Sequence, residues 1–144
     1  MGECVFCEIV ESTVPTSVVY RDDMVMAFMD IRPVNTGHVL VIPMKHFAEL
    51  ADMDEATGIR LFQVTMRVQK AIRASAVRCE GINLFLADGE AAFQEVFHVH
   101  MHIFPRFKGD DFKIEADWSK QPPRGELDEV AAQIRSAYSE PHNR

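Results

Sequence analysis

The chain has no stretch of about 18 apolar residues, so a transmembrane helix is not expected. Also missing is a basic leader followed by an apolar run. Glu3 and Glu8 interrupt the opening residues, which do not read as a signal peptide. Cysteine is scarce: three occur, two of them as Cys4-x-x-Cys7, which is too few for a disulfide framework and fits a reducing cytoplasm. Lysine and arginine, 15 in all, are outnumbered by 22 acidic residues. The resulting formal charge of −7 argues against a general nucleic-acid surface, which calls for a basic stripe. Anionic small molecules stay admissible, because a local ring of backbone N–H groups can outweigh net charge. Internal repeats and low-complexity tracts are absent.

What is present suffices for one domain. With 47% of its 144 residues apolar, the chain can bury a core, and residues 1–144 read as a single domain whose texture changes from about residue 107. Short strands are expected at Ser17–Tyr20, Met24–Ile31, His38–Ile42 (ended by Pro43), Ile82–Leu86 and Val96–Phe104, where Pro105 stops the last one. Asp52, with Glu55 three residues on, predicts the cap of a helix running to about Ala74. Its apolar arc is wide, with Ile59, Phe62 and Met66 beside Leu61, Val64, Val68 and Ile72, so part of it is expected to meet a second subunit as a homodimer. Glu126–Tyr138 reads as a weaker helix. The fold class is α+β, an antiparallel meander with one main helix and a C-terminal helix.

The most informative run is Phe97-His98-Val99-His100-Met101-His102-Ile103-Phe104, holding three of the chain's six histidines. In a strand the three imidazoles share one face, rooted about 6.6 Å apart, while Val99, Met101 and Ile103 turn to a core. Each ring has a donor and an acceptor to satisfy, which makes the row poor core material and a candidate reactive surface. Two chemistries fit: the rings bind a metal that activates water, or one ring is itself a nucleophile and the others orient it. Just upstream, Asp88-Gly89-Glu90-Ala91-Ala92-Phe93-Gln94 can aim backbone N–H groups at an anion, which favours phosphate chemistry. Taken alone that loop reads sooner as an ordinary hairpin connection. Cys4 and Cys7 supply half of a tetrahedral zinc site that His46 and His98 could complete, against the plainer reading of two buried thiols and a surface His46. His142 sits in a polar tail and reads as solvated.

The run His98 to Phe104 resembles the signature of the histidine triad superfamily, in the branch of bacterial HIT-like proteins, nucleoside phosphoramidases and diadenosine polyphosphate hydrolases. Cys4-Val5-Phe6-Cys7-Glu8-Ile9-Val10, Val19-Tyr20-Arg21-Asp22-Asp23, Ala27-Phe28-Met29-Asp30-Ile31-Arg32-Pro33 and Gly37-His38-Val39-Leu40-Val41-Ile42-Pro43-Met44-Lys45-His46 are similar to that family in the same order, and Pro105-Arg106 closes the pattern. The resemblance implies a HIT-like fold and a nucleotide hydrolase or nucleotidyl transferase. Its substrate would be a phosphoanhydride or phosphoramidate of a purine nucleotide, with adenylyl as the transferred group. His100 would attack the α-phosphorus and carry a covalent intermediate, with His102 and His38 lining the phosphate pocket and Gln94 touching the phosphoryl group. Backbone N–H groups near Phe93, Glu95 and Val96 would hold its oxygens, within a loop that begins at Asp88 and Gly89. Asp30 would bind ribose, and Phe6, Ile9, Phe28 and Ile31 would flank the base. Some bacterial members resemble the Cys4, Cys7, His46, His98 arrangement, which implies a structural zinc. Three positions depart from the family: Ala87 stands where an amide is common, Phe93 where glycine is frequent, and Glu95 where Ser or Thr is frequent. Two rival readings remain, a catalytic metal held by His98, His100 and His102, and a nucleotide-binding protein with weak catalysis.

Overall fold

The computed structural model describes residues 4–140, so His142 lies outside the described residues. In chain order the elements are α1 (Val5–Val10), β1 (Val18–Arg21), β2 (Val25–Met29), β3 (Val39–Pro43), α2 (Glu55–Ala74), β4 (Gly81–Phe85), β5 (Met101–Arg106) and α3 (Arg124–Ala137), with single 3-10 turns at Leu50–Asp52 and Glu90–Ala92. The described residues fall into two compact units that divide between Phe112 and Lys113. The second unit holds α3, whose Leu127, Val130 and Ile134 are exposed.

In the first unit the strands form one antiparallel sheet in the order β1-β2-β3-β5-β4. Strand alternation sorts the apolar residues onto two faces. Val25, Ala27, Val39, Val41, Val99 and Ile103 pack under Leu61, Val64, Val68 and Ile72 of α2. Met26, Phe28, Leu40 and Ile42 turn the other way and are covered by Phe6 and Ile9 of α1. Both faces of β2 and β3 are therefore buried, which is why these strands read as nearly continuous apolar runs. Pairing also places Phe28, Leu40, His102 and Phe85 opposite one another across four strands, so they form one row on the α1 side.

Most boundaries shift by one or two residues, and the larger differences from expectation have physical reasons. Helix α2 is capped by Asp54, whose carboxylate accepts from the Thr57 N–H at 3.0 Å and hydroxyl at 2.7 Å. Asp52 instead ends the preceding 3-10 turn, where its carboxylate accepts the Glu49 N–H. Strand β5 starts at Met101 rather than Val96 and runs through Pro105 to Arg106. Pro105 is tolerated because β3 has already ended on that side. The Pro105 carbonyl there accepts from the Asn35 side chain, so its ring nitrogen faces a loop and not a ladder. Helix α1, which went unassigned, starts at Cys4, whose sulfur caps the Cys7 N–H.

The loop before β3 is fixed by Arg106. Its guanidinium grips both oxygens of Asp110 at 2.7 and 2.9 Å, and Asp110 in turn accepts from Asn35 at 2.9 Å. Gly37 closes this loop at φ +91°, where a Cβ would stand 2.7 Å from Val77 and 3.2 Å from Pro105. Gly37→Ala is expected to cost about 2 kcal/mol or more through backbone strain and overlap. It should lower the urea midpoint at unchanged slope. A wild-type midpoint would show that the loop absorbs the methyl group.

Candidate active site and metal centre

Backbone hydrogen bonds fix the tautomer of each central imidazole. The Pro43 carbonyl accepts from His98 Nε2 at 2.8 Å, so the unshared pair of His98 lies on Nδ1. The His98 carbonyl accepts from His100 Nδ1 at 2.8 Å, which leaves the pair of His100 on Nε2. The Val34 N–H donates to His38 Nδ1 at 3.1 Å, so His38 Nε2 carries a proton and gives it to His102 Nδ1 at 2.9 Å. His102 then presents Nε2–H. Asp30 Oδ2 lies 3.6 Å from His38 Nε2, while Asp30 Oδ1 accepts the Arg32 N–H at 2.8 Å. Only His102 sits within regular β5. His98 and His100 occupy the extended lead-in, where the Val99 N–H donates to Phe47 O and keeps Val99 on the core side.

His100 and His102 open onto a cavity of about 560 Å³. One end is apolar, with Val5, Phe6, Ile9, Val14, Phe28 and Leu40, and Asp30, Ile31 and Arg32 lie along its rim. Phe6 stands edge-on to Phe28 at 5.7 Å and to His100 at 5.0 Å. Ile31 is 90% exposed, so it sits on the lip and not in the wall of this end. Phe85, Ala87, Phe93, Glu95 and Val96 also line the cavity. Phe85 was missed in the sequence. Its signal was the pairing of the Ile82–Leu86 strand with the histidine strand, which puts it opposite His102.

The loop from Asp88 to Val96 is organised differently from expectation. Gln94 is buried and fully engaged: its Nε2 donates to Ala48 O at 2.7 Å and Val96 O at 3.1 Å, and its Oε1 accepts the Gly89 N–H at 2.8 Å. It braces the loop instead of facing a substrate. Asp88 accepts the Leu50 N–H at 2.8 Å, and neither Asp88 nor Gly89 lines the cavity. The Phe93 N–H is given to Glu90 O, so it is not available to an anion. Among the described residues the N–H groups of Glu95 and Val96, which both line the cavity, have no protein acceptor and are donors the loop can offer there. Phe93 adopts φ +69°, a conformation that costs a bulky residue about 1–3 kcal/mol.

Behind the triad, Cys4, Cys7, His46 and His98 bring four ligand atoms within 4.8 Å of one another. Four of the six separations are 3.5 Å (Cys4 Sγ to His98 Nδ1), 3.6 Å (Cys7 Sγ to His98 Nδ1), 3.3 Å (Cys7 Sγ to His46 Nδ1) and 3.2 Å (His46 Nδ1 to His98 Nδ1). Tetrahedral zinc with sulfur and nitrogen ligands has edges of about 3.3–3.8 Å, so the donor set fits. His98 Nδ1 carries a lone pair, so it can ligate but cannot donate to the sulfurs. Burial, together with the neighbouring Cys4 thiol, pushes the Cys7 thiol up to about 11, a penalty that a bound cation would reverse. The triad does not act as one ligand set. His98 belongs to this group, His102 groups with Asp30 and His38, and His100 is in neither.

A family model, HIT domain, matches residues 11–109. A member of the HIT family of proteins from Bacillus subtilis superposes with a TM-score of 0.87 at 33% identity, covering 97% of this chain and 100% of that one. A Zn-bound histidine triad family protein from Mycobacterium smegmatis has a TM-score of 0.73 at 38% identity, covering 94% and 97%. Adenylylsulfatase HINT3 of Arabidopsis thaliana is 31% identical over 138 residues, 94% of this chain and 67% of that protein.

The four central imidazoles share an electrostatic consequence. Burial lowers His38, against the pull of Asp30, and likewise lowers His98 and His100. It brings His102 to about 4, helped by the neighbouring His100 and His38. Unfolded histidine titrates near 6.5, so between about pH 6.5 and 4 the unfolded chain binds protons that the fold refuses. Stability is therefore complete above pH 6.5 and falls as the pH drops through this window. Asp22, kept at about 2 against its burial by hydrogen bonds from Val25, Met24, Arg60 and Tyr20, contributes to acid loss only below the window. Melting temperatures at pH 7, 6 and 5, with a chelator present to exclude metal release, should fall steadily, and His102→Gln should flatten the slope. A level profile from pH 7 to 5 would contradict the assignment of neutral, buried rings.

Proposed function

The chain belongs to the HIT family, and from that premise and the site geometry we propose that it is a nucleotide hydrolase or nucleotidyl transferase. It cleaves a phosphoanhydride or phosphoramidate at the α-phosphate of a purine nucleotide, with adenylyl as the transferred group, through a covalent nucleotidyl-His100 intermediate. The observation that carries this reading is the His100 tautomer. The bond from Nδ1 to the His98 carbonyl leaves a lone pair on Nε2 at the cavity, beside two backbone N–H groups without acceptors. The description of the Arabidopsis relative as an adenylylsulfatase supports the choice of adenylyl.

The base lies against Phe6 and Phe28, with Ile9 behind it and Ile31 at the lip, and the Asp30 carboxylate accepts from ribose hydroxyls. Glu95 N–H, Val96 N–H and His102 Nε2–H converge on the α-phosphate oxygens. His100 Nε2 attacks phosphorus, the bond to the leaving group breaks, and water then displaces the imidazole to release the nucleotide. His38 positions His102, and Gln94 positions the donor loop. Cys4, Cys7, His46 and His98 would hold a structural zinc, supported by the donor geometry and the zinc-bound mycobacterial relative. Cys4 and Cys7 of α1 and His98 in the lead-in of β5 would thereby be tied together, and a set of four protein ligands would give the ion a structural role. The whole chain is one HIT domain with a variable C-terminal segment. The exposed Ile59, Phe62 and Met66 of α2 form a subunit contact in a cytoplasmic homodimer.

His100→Ala should lower turnover by about a thousandfold or more while keeping AMP affinity within about tenfold of wild type. Acid quenching with labelled substrate should trap nucleotidyl-protein in the wild type and none in the variant. Activity within tenfold of wild type would refute His100 as the nucleophile, and a wild type that binds AMP without turnover would leave a nucleotide-binding protein.

Elemental analysis should find one zinc per chain. Cys4→Ser should remove it and lower the melting temperature, with only a modest loss of turnover in the cold. A metal-free wild type of normal stability would end the zinc assignment. A Cys4→Ser chain that keeps its stability but loses all activity would return the metal to the chemistry.

A further inference from the structure

The sulfurs of Cys4 and Cys7 are placed for a second chemistry besides ligation. They stand within 4.8 Å of each other, and both face His98 Nδ1, at 3.5 and 3.6 Å. The two residues are three apart, so one turn of helix brings their side chains together. Cys4 has the extended backbone of a cap, φ −97° and ψ 113°, and lays its sulfur over that turn, 3.4 Å from the Cys7 nitrogen. Closing a disulfide asks the sulfurs to approach to about 2.05 Å. A tetrahedral ion holds two thiolates about 3.8 Å apart, so the bond and the ion exclude each other. Solvent reaches the pair from the Cys7 side, where its sulfur meets the exposed His46 ring at 3.3 Å.

The bond would also change what holds α1. In the reduced chain both sulfurs rest against the lead-in of β5 through His98. In the disulfide they are bonded to each other, and the tie becomes internal to α1. The far end of the helix stays pinned, because Arg21 donates to Val10 O at 2.9 Å. The end carrying Phe6 is then left to the packing of Phe6 and Ile9 on Met26, Phe28, Leu40 and Ile42. Phe6 lines the cavity, edge-on to His100 at 5.0 Å. His100 keeps its own orientation, since its Nδ1 donates to the His98 carbonyl while His98 Nε2 stays on Pro43 O. The consequence falls on binding and not on the His100 ring.

We propose that Cys4 and Cys7 are a modification site: hydrogen peroxide closes a reversible disulfide between them, and the bond lowers nucleotide affinity through α1. This rests on the nucleotide reading above for its ligand, and on the zinc reading for the ion that the bond displaces. One thiolate attacks a peroxide oxygen and breaks the O–O bond, becoming a sulfenic acid. The second sulfur attacks the first and displaces its hydroxyl. Two electrons pass from the sulfurs to the two oxygens, which take up two protons from solvent and leave as water. Exchange with a small thiol reverses the bond.

The Cys79→Ser protein, loaded with zinc and treated with hydrogen peroxide, tests this, because its one remaining pair of thiols is Cys4 and Cys7. Cys79 belongs to neither ligand group, and its sulfur rests on Gly81 O at 3.3 Å. Both thiols should disappear, zinc should be released in step, and the intact mass should fall by that of two hydrogen atoms. AMP affinity should fall about tenfold, and saturating AMP should by reciprocity make the bond about tenfold harder to form in glutathione buffers. Turnover at saturating substrate should stay within about twofold of the reduced protein. Dithiothreitol and zinc should restore every reading. Peptide mapping of alkylated wild type locates the same bond without a variant. A mass gain from sulfinic acid, a disulfide between chains, or an AMP affinity that the disulfide leaves unchanged overturns the proposal. A metal-free wild type that forms the bond and loses affinity ends the zinc reading and keeps the modification site. A reduced protein that binds no AMP ends the nucleotide reading, and with it the coupling.

Discussion

The site depends on hydrogen bonds between backbone groups and imidazole nitrogens. A neutral histidine can present either nitrogen, and the choice decides whether a ring attacks, donates or ligates. In this fold the chain makes that choice for each ring. Pro43 O turns the lone pair of His98 toward the cysteines, His98 O turns that of His100 toward the cavity, and Val34 N–H sets His38 and through it His102. The carbonyl of His98 orients the His100 ring while the His98 ring faces the other cluster. One residue thereby couples the two centres without either sharing an atom with the other.

This coupling gives α1 its importance. The helix has only six residues and makes no stable element alone. Cys4 and Cys7 anchor one of its ends beside His98, and Phe6 and Ile9 on the same short helix form the apolar end of the cavity. A cysteine–histidine cluster at one end of a helix too short to hold itself thus sets the apolar wall of the cavity. The Arg106, Asp110 and Asn35 cluster does the corresponding work on the other side, fixing the loop that delivers His38.

Much of this was legible in the sequence because it is local. Strand alternation predicted that Val99, Met101 and Ile103 would turn to the core and leave the three imidazoles on the opposite face. The Cys4 and Cys7 spacing pointed to a candidate ligand pair, and the structure brings His46 and His98 to it. What stayed hidden was tertiary. Gln94 reads as a substrate contact until Ala48 and Gly89 are seen to use up its amide, and the Phe93 N–H reads as a free donor until the 3-10 turn claims it. Asp52 satisfies a capping pattern equally well as Asp54, and the competition is settled by Thr57, which offers Asp54 both its N–H and its hydroxyl. Pro105 looks like a terminator because the sequence does not say that β3 stops short of it.

Burial of the imidazoles sets a limit on the fold. A nucleophilic imidazole must be neutral, and burial of His38, His98, His100 and His102 keeps these rings neutral at physiological pH. Neutral rings still carry polar nitrogens, which low-dielectric surroundings tolerate only when paired. The hydrogen bonds that define the tautomers supply that pairing, and no buried side-chain nitrogen or oxygen among the described residues lacks a partner. Satisfaction and orientation are therefore one requirement met by one set of contacts. The stabilising surplus has to come from elsewhere, and it lies across the sheet, where α2 closes an all-apolar core against Val39, Val41, Val99 and Ile103. The two faces divide the work: one holds the structure together so that the other can keep His38, His98 and His100 buried and His102 half-buried, all four neutral and aimed.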